Sequence, residues 1–150
     1  MSEIQTHASD DCDIIALGVS AIGRVGANYN QNAKELEDYY DHLDHGRFPI
    51  VKGLALSKDD IVRRAVIMEI MCQGRLDYES IELAYLLNFK EYFLYEMNLL
   101  QNFQEKDFIE LDDSGFEVTD TGWFFVRAIA MIFDRYLQLD QNRTRFSKIL

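Results

Sequence analysis

The sequence predicts a mainly α-helical fold with one small β-hairpin. Three observations support this fold class. Apolar residues recur at helical spacing in several segments, proline occurs only once, at Pro49, and two short apolar runs flank an acidic, glycine-containing turn at residues 112–115. Hydrophobic residues make up 48% of the 150 residues, so the chain can bury a sizeable core and is not expected to be disordered.

The first elements lie between residues 13 and 46. Residues 1–12 are polar and predict no regular structure, whereas the continuous apolar run from Ile14 to Leu17 predicts a fully buried strand. A small-residue loop, residues 18–23, follows this run. A helix is predicted from Gln31, with apolar side chains at i, i+4 and i+7 and Gly46 at its C-terminal end.

A linker around Pro49 leads to the more regular part of the chain. Ser57 is the predicted N-cap of a helix that ends at Gly74. Further helices are predicted over residues 79–87 and 90–103, and a hairpin over residues 108–111 and 116–119. The last predicted helix, residues 121–138, is apolar on nearly every side and should therefore be the most buried.

This order of helices, hairpin and closing helix is typical of a winged-helix unit and places the core domain at about residues 55–138. The charge distribution argues against binding to DNA. Between residues 79 and 119, where a recognition helix and wing would lie, the sequence has ten carboxylates and only two basic residues, Lys90 and Lys106. A surface that neutralises DNA phosphates needs an excess of basic side chains, whereas the whole chain carries a net charge of −11.

No side-chain pattern indicates catalysis. His42 and His45 in DHLDH (residues 41–45) have a spacing that metal ligands can adopt, but no third ligand is evident. The simpler interpretation is that they lie at the solvent-exposed end of a helix. Cys12 and Cys72 are the only cysteines, which suggests a reducing compartment rather than a disulfide framework. No signal peptide and no membrane-spanning segment are predicted, so the expected location is the cytoplasm.

Several motifs nevertheless resemble one enzyme family when they are read in order. They are LGVSAIG (residues 17–23), QNAKELEDYY (31–40), GLALSKDD (53–60), VTDTGWFFVRAIAMIFDRYL (118–137) and the ending RFSKIL (145–150). From His7 onward, the chain resembles the C-terminal third of oxygen-independent coproporphyrinogen III oxidase. That family consists of radical S-adenosylmethionine enzymes of haem biosynthesis.

The resemblance implies a domain organisation and a function. Residues 1–30 would be a strand and loop remnant of the catalytic barrel, and residues 31–150 a helical domain that covers the active site. The complete enzyme would oxidatively decarboxylate coproporphyrinogen III to protoporphyrinogen IX. The family uses a [4Fe-4S] cluster on a C-x-x-x-C-x-x-C loop together with S-adenosyl-L-methionine. This chain contains no such loop, so we expect no cofactor on the chain alone and no activity without the barrel.

One ligand contact follows from the resemblance. The isoleucine of the family's VSAI motif touches S-adenosylmethionine, and it corresponds to Ile22, while Gly18 and Ser20 shape the same loop. The implied partners are the catalytic barrel and the tetrapyrrole substrate, with no nucleic acid and no membrane. An alternative is a free-standing module that binds a protein or a porphyrin through exposed apolar surface, without catalysis.

Overall fold

The computed structural model describes residues 12–138, which form two compact units divided between Ser57 and Lys58. Residues 1–11 and 139–150 lie outside the described part, and with them residues 7–11 of the resemblance and the ending RFSKIL. The assignment of residues 1–30 to the catalytic region and of residues 31–150 to a covering domain stays a prediction.

The first unit combines a three-stranded antiparallel sheet with one helix. Its elements are β1 (Ile22–Val25), β2 (Asn28–Asn32), α1 (Leu36–Asp44) and β3 (Ile50–Ala55). The strand order is β1-β2-β3, with a register shift between Gln31 and Asn32. Gly26 lies in the tight turn between β1 and β2 with φ of +54°, a left-handed conformation that favours glycine.

The structure corrects three predictions in this unit. The run from Ile14 to Leu17 is not a buried strand, because only Ile14 forms a β-bridge, with Arg24, and Leu17 is 84% exposed. The helix predicted from Gln31 begins at Leu36, since residues 28–32 pair with both neighbouring strands. The predicted linker after Pro49 continues as strand β3. For β2 and β3 strand pairing decided the conformation, and strand pairing leaves little local signal in sequence.

The second unit has the winged-helix order of elements. They are α2 (Lys58–Gln73), β4 (Arg75–Asp77), α3 (Tyr78–Tyr85), α4 (Phe89–Tyr92), α5 (Leu94–Gln104), β5 (Ile109–Leu111), β6 (Gly115–Val118) and α6 (Val126–Ala130). The three strands form an antiparallel sheet in the order β4-β6-β5. The mainly α fold class with a small hairpin is therefore confirmed.

Local side-chain chemistry explains where several of these elements begin and end. The Asp77 carboxylate accepts a hydrogen bond from the Glu79 backbone N–H, and the Asn88 side chain accepts one from Glu91, which caps α3 and α4. In the hairpin, Asp112 Oδ1 accepts hydrogen bonds from the backbone N–H groups of Ser114 and Gly115. These contacts are the Asx-turn chemistry that an acidic turn containing glycine predicts.

The core of this unit is built around three phenylalanines, Phe89, Phe93 and Phe133, all fully buried. The Phe93 ring centroid lies 4.7 Å from that of Phe89 and 5.2 Å from that of Phe133, the latter pair at an edge-on angle of 83°. Aromatic pairs prefer such tilted and edge-on arrangements. The remaining core side chains come from α2, α3, α5, the sheet and residues 122–138, which we call the closing segment.

The last predicted helix is not continuous. Residues Gly122–Phe125 form a 3₁₀ turn, α6 follows, Met131–Phe133 form a second 3₁₀ turn, and Asp134 is extended before residues 135–138 turn helical again. The apolar content of this segment did predict its burial in part, since Ile129, Ala130 and Phe133 are buried. Within residues 12–138, no helix is long and apolar enough to cross a membrane.

Candidate functional site

The small-residue loop begins at Gly18 and enters β1 at Ile22. Gly18 has φ of +100°, which favours glycine, and Ser20 adopts φ of +60°, which is unusual for a residue with a side chain. The Ser20 N–H donates a hydrogen bond to the Ala33 carbonyl oxygen at 2.8 Å. Backbone contacts therefore hold a conformation that the loop sequence alone would not maintain.

Three side chains from outside the loop contact its backbone, and the longest of these contacts is that of Gln31 Nε2, which donates to the Ser20 carbonyl oxygen at 3.4 Å. Asn32 Nδ2 donates hydrogen bonds to the carbonyl oxygens of Ala16, at 3.2 Å, and Gly18, at 3.0 Å. The Tyr39 hydroxyl oxygen accepts a hydrogen bond from the Gly18 N–H at 3.0 Å. The loop is thereby tied to β2 through Asn32 and to α1 through Tyr39.

The structure places the three residues predicted for the ligand contact on one short stretch. Ile22 is the first residue of β1, pairs with Gln31 of β2 and leaves its side chain 62% exposed. Gly18 and Ser20 precede it in the loop. A Cβ atom at the neighbouring Gly23 would lie only 2.8 Å from the Ile14 carbonyl oxygen, so this position requires glycine.

The chemistry that this loop can offer is binding rather than catalysis. Residues 18–23 contain no acid, base, thiol or imidazole, and the exposed isoleucine side chain can make only apolar contacts. A side chain of this kind suits the flat or apolar face of an organic ligand. The loop can therefore contribute to a ligand site only together with groups from elsewhere.

A separate polar cluster, which we call the Arg63 cluster, lies in the second unit and consists of Asp59, Arg63, Tyr92, Glu96, Arg135 and Gln138. Arg63 Nη1 donates to Glu96 Oε1 at 2.7 Å, and Arg63 Nε donates to Asp59 at 3.0 Å. Glu96 is 3% exposed, and the guanidinium carbon of Arg63 lies 5.2 Å from the centroid of the Phe93 ring. The cluster lines a shallow depression of about 550 Å³.

Asp59 is the most heavily bonded carboxylate of this cluster. Burial alone would raise its pKa, but hydrogen bonds from Tyr92 at 2.7 Å, from Arg63 and from Arg135 outweigh burial and hold the pKa below its ordinary value of 3.8. All the donors stabilise the charged form. The arrangement is an internally satisfied ion-pair network, which indicates a structural role for these side chains.

The lowered pKa of Asp59 predicts a specific acid sensitivity. Because the folded-state pKa lies below the unfolded-state value of about 3.9, the carboxylate stabilises the fold above that value, and this contribution is lost as the pH falls through the folded-state pKa. We expect Asp59→Asn to lower the free energy of unfolding at pH 7, with a difference from wild type that shrinks towards pH 2. Urea unfolding between pH 7 and pH 2 measures this difference.

The matched control for that titration is Asp120→Asn, which removes an exposed carboxylate of the same unit. It should follow the wild-type pH dependence throughout. A constant difference between Asp59→Asn and wild type at every pH would contradict the role assigned to the Asp59 charge.

The other sequence candidates for chemistry are not brought together. The Nδ1 atoms of His42 and His45 each lie 2.7 Å from a backbone carbonyl oxygen one helical turn earlier. Among residues 12–138, no three His, Cys, Asp or Glu side chains are placed to hold a metal ion. Cys12 and Cys72 are free thiols, one in each unit.

Two features of these sites were not predicted from the sequence. The pairing of Asp59 with Arg63 follows from their i, i+4 spacing, but the second carboxylate partner of Arg63, Glu96, was not recognised. Its signal is a carboxylate between Phe93 and Leu100 on the apolar stripe of a helix, where a buried partner is required. The ties from Asn32 and Tyr39 to the loop have no comparable signal, because they depend on the register of β2 and on the start of α1.

Comparison with known proteins gives consistent results for both units. The family model of the HemN C-terminal domain matches residues 56–125. Several curated relatives are named oxygen-independent coproporphyrinogen III oxidase, including one from Pseudomonas aeruginosa and one from Escherichia coli. The one from Pseudomonas aeruginosa is 42% identical over 139 residues, and the one from Escherichia coli is 38% identical over 140 residues. Each alignment covers 93% of this chain.

The chain spans about 30% of the length of these relatives. A solved structure of coproporphyrinogen III oxidase from Escherichia coli, described there as a radical SAM enzyme, superposes with a TM-score of 0.80 at 40% identity. The superposition covers 84% of this chain and 29% of that protein. The resemblance seen in the sequence motifs is therefore confirmed by identity and by fold.

Proposed function

We propose, from the match of residues 56–125 to the family model of the HemN C-terminal domain, that the chain acts as the C-terminal part of an oxygen-independent coproporphyrinogen III oxidase. The supporting observation is that similarity to these oxidases extends over 93% of the chain, and so includes both units and the small-residue loop. Two free cysteines suit the reducing cytoplasm, where we place the protein.

The proposed role of residues 31–150, which include the second unit, is to cover the active site. In the complete enzyme, a [4Fe-4S] cluster and S-adenosyl-L-methionine supply the radical chemistry for converting two propionates of coproporphyrinogen III into vinyl groups. A covering domain excludes water and competing reactants from such a site. The Arg63 cluster supports this role because it fixes α2, α5 and the closing segment to one another.

The proposed role of the small-residue loop is to contact S-adenosylmethionine through Ile22. The exposed side chain of Ile22 and the left-handed backbone at Gly18 and Ser20 fit a loop that approaches a ligand closely. The residues of this chain do not fit the cluster itself. Cys12 and Cys72 belong to different units and do not form a C-x-x-x-C-x-x-C loop, so the ligands of the cluster would come from outside this sequence.

The experiment that tests this proposal uses a fusion protein. In the Pseudomonas aeruginosa relative, the stretch that aligns with this chain is replaced by this chain, and the cluster is reconstituted anaerobically. We expect the fusion to cleave S-adenosylmethionine in the presence of reductant and coproporphyrinogen III, and the isolated chain, treated in the same way, to cleave none. A cluster-loaded fusion without cleavage, or cleavage by the isolated chain, would refute the proposal.

A second candidate is an interaction module that binds a protein or a porphyrin without catalysis. Its supporting observation is the exposure of large apolar side chains in the second unit, among them Leu86 and Phe124, the latter 88% exposed. Titration of the isolated chain with coproporphyrin III, followed by tryptophan fluorescence, tests the porphyrin version. Tight binding by the isolated chain together with an inactive fusion would favour this candidate over the oxidase role.

A further inference from the structure

The backbone of the small-residue loop needs external support in order to keep one conformation. It contains two residues with positive φ, Gly18 and Ser20, and Ser20 carries a side chain that disfavours this geometry. Val19 and Ile22 are exposed apolar side chains, so burial within the described residues does little to anchor the loop. Hydrogen bonds to its backbone must therefore provide most of the stabilisation of the loop conformation.

Asn32 contacts this backbone at three points. Its side-chain amide donates to the carbonyl oxygens of Ala16 and Gly18, and its own N–H donates to the Ala21 carbonyl oxygen at 3.0 Å. Asn32 is 3% exposed, so these bonds are shielded from competing water. The register shift between Gln31 and Asn32 lies at this point, and a bulge of this kind re-aims the side chain that follows it.

Tyr39, on α1, supplies a further contact to the loop backbone. Its hydroxyl oxygen accepts the Gly18 N–H, a backbone group that no strand pairing satisfies, and its ring is held edge-on against Tyr40 on the same helix. Gly18 is therefore bonded at both its N–H and its carbonyl oxygen, by two side chains from two different elements. These contacts fix both peptide groups that flank the φ of +100°.

We infer that Asn32 and Tyr39 are positioning residues that hold the small-residue loop in the conformation in which Ile22 meets S-adenosylmethionine. This inference rests on the proposed function of the loop and adds the residues that control it. Neither side chain needs to touch the ligand. Their effect reaches the ligand through the path from Gly18 to Ile22, four residues along the chain.

The first part of the test measures the loop itself in the isolated full chain. Tyr39→Phe keeps the ring and removes only the hydroxyl that accepts the Gly18 N–H. We expect amide hydrogen exchange at Gly18, followed by NMR, to become up to about tenfold faster, in line with the loss of one partly buried hydrogen bond. Tyr40→Phe, the adjacent tyrosine of α1, is the matched control and should leave this rate unchanged.

The second part measures the ligand in the fusion protein. Tyr39→Phe should raise the KM for S-adenosylmethionine about three- to tenfold with little change in kcat, because it weakens ligand positioning and not the chemical step. Asn32→Asp, an isosteric change that replaces the donating amide by an acceptor facing two carbonyl oxygens, should have a larger effect of the same kind. Tyr40→Phe should match the unaltered fusion.

The outcomes separate this inference from the proposed function. If the unaltered fusion is active and Tyr39→Phe speeds Gly18 exchange without changing the KM, the positioning role is wrong while the proposed function stands. The positioning role is also wrong if Gly18 exchange does not change in Tyr39→Phe. If the unaltered fusion loads its cluster and is inactive, the proposed function fails and the inference fails with it. The proposed function and the positioning role are both supported if Tyr39→Phe raises the KM and speeds Gly18 exchange while Tyr40→Phe changes neither.

Discussion

Replacement of Arg63 by methionine should lower the free energy of unfolding by about 3–5 kcal/mol at neutral pH, because it leaves the buried Glu96 carboxylate without its ion-pair partner. Arg63 also donates to Asp59 and to the Phe133 carbonyl oxygen, so the change leaves several acceptors short of a donor. Among described residues, the Gln138 side chain then remains as a donor to Glu96, at 3.3 Å. Urea unfolding at pH 7 measures the loss.

The double variant Arg63→Met with Glu96→Met distinguishes an unpaired charge from lost packing. Since apolar replacement of both partners of a buried pair is often nearly neutral, most of the stability should return. Lys90→Met is the control, since the Lys90–Asp113 pair is exposed and should be worth less than about 1 kcal/mol. A single variant as stable as wild type, or a double variant no better than the single, would show that Glu96 does not depend on Arg63.

Phe93→Ala should destabilise the second unit by about 3–5 kcal/mol, the usual cost of truncating a buried phenylalanine. The Phe93 ring is fully buried and contacts Phe89, Phe133 and the Arg63 guanidinium. Its removal would therefore open a cavity beneath the ion-pair network as well as in the aromatic core. Thermal and urea unfolding followed by circular dichroism measure the change.

Phe124→Ala provides the comparison for this substitution, because it removes the same side chain from an 88% exposed position. It should change the free energy of unfolding by no more than about 0.5 kcal/mol. Equal losses for the two variants would mean that the packing around Phe93 does not carry the stability assigned to it.

Most helices of the second unit and its hairpin could be predicted from sequence because their signals are local. Ser57 and Gly74 bracket α2, Gly74 follows the helix with φ of +66°, and the acidic turn makes the hairpin. Strand β4, only three residues long, was missed because its pairing partner β6 lies about forty residues later in the chain. The closing segment was predicted as one helix because periodicity does not report the breaks at its 3₁₀ turns.

The first unit was predicted poorly because its structure is set by pairing between strands. The segment from Asn28 to Asn32 has no apolar periodicity, and its strand conformation comes from β1 and β3 on either side. The apolar run from Ile14 to Leu17 carried the pattern of a buried strand, yet the described part of the chain gives it one bridge, at Ile14. An apolar run of this kind shows that a segment could be buried as a strand, but a pairing strand must be present for burial to occur.

The candidate site shows the same division. Ile22, Gly18 and Ser20 were identified through the motif LGVSAIG, which is read directly from the sequence. Asn32 and Tyr39 could not be found in that way, because their bonds to the loop bring together positions 14 to 21 residues apart. Glu96 lies between these cases, since a carboxylate on an apolar helix stripe is visible but its partner is not.

The measurement that tests the central claim most directly is the anaerobic formation of protoporphyrinogen IX by the fusion protein. The parent relative and the same relative without the exchanged stretch serve as references. If this chain covers the active site of a coproporphyrinogen III oxidase, the fusion should form product within about tenfold of the parent rate, and the shortened relative should form none. A folded fusion that holds its cluster but forms no product, or a shortened relative that is fully active, would contradict it.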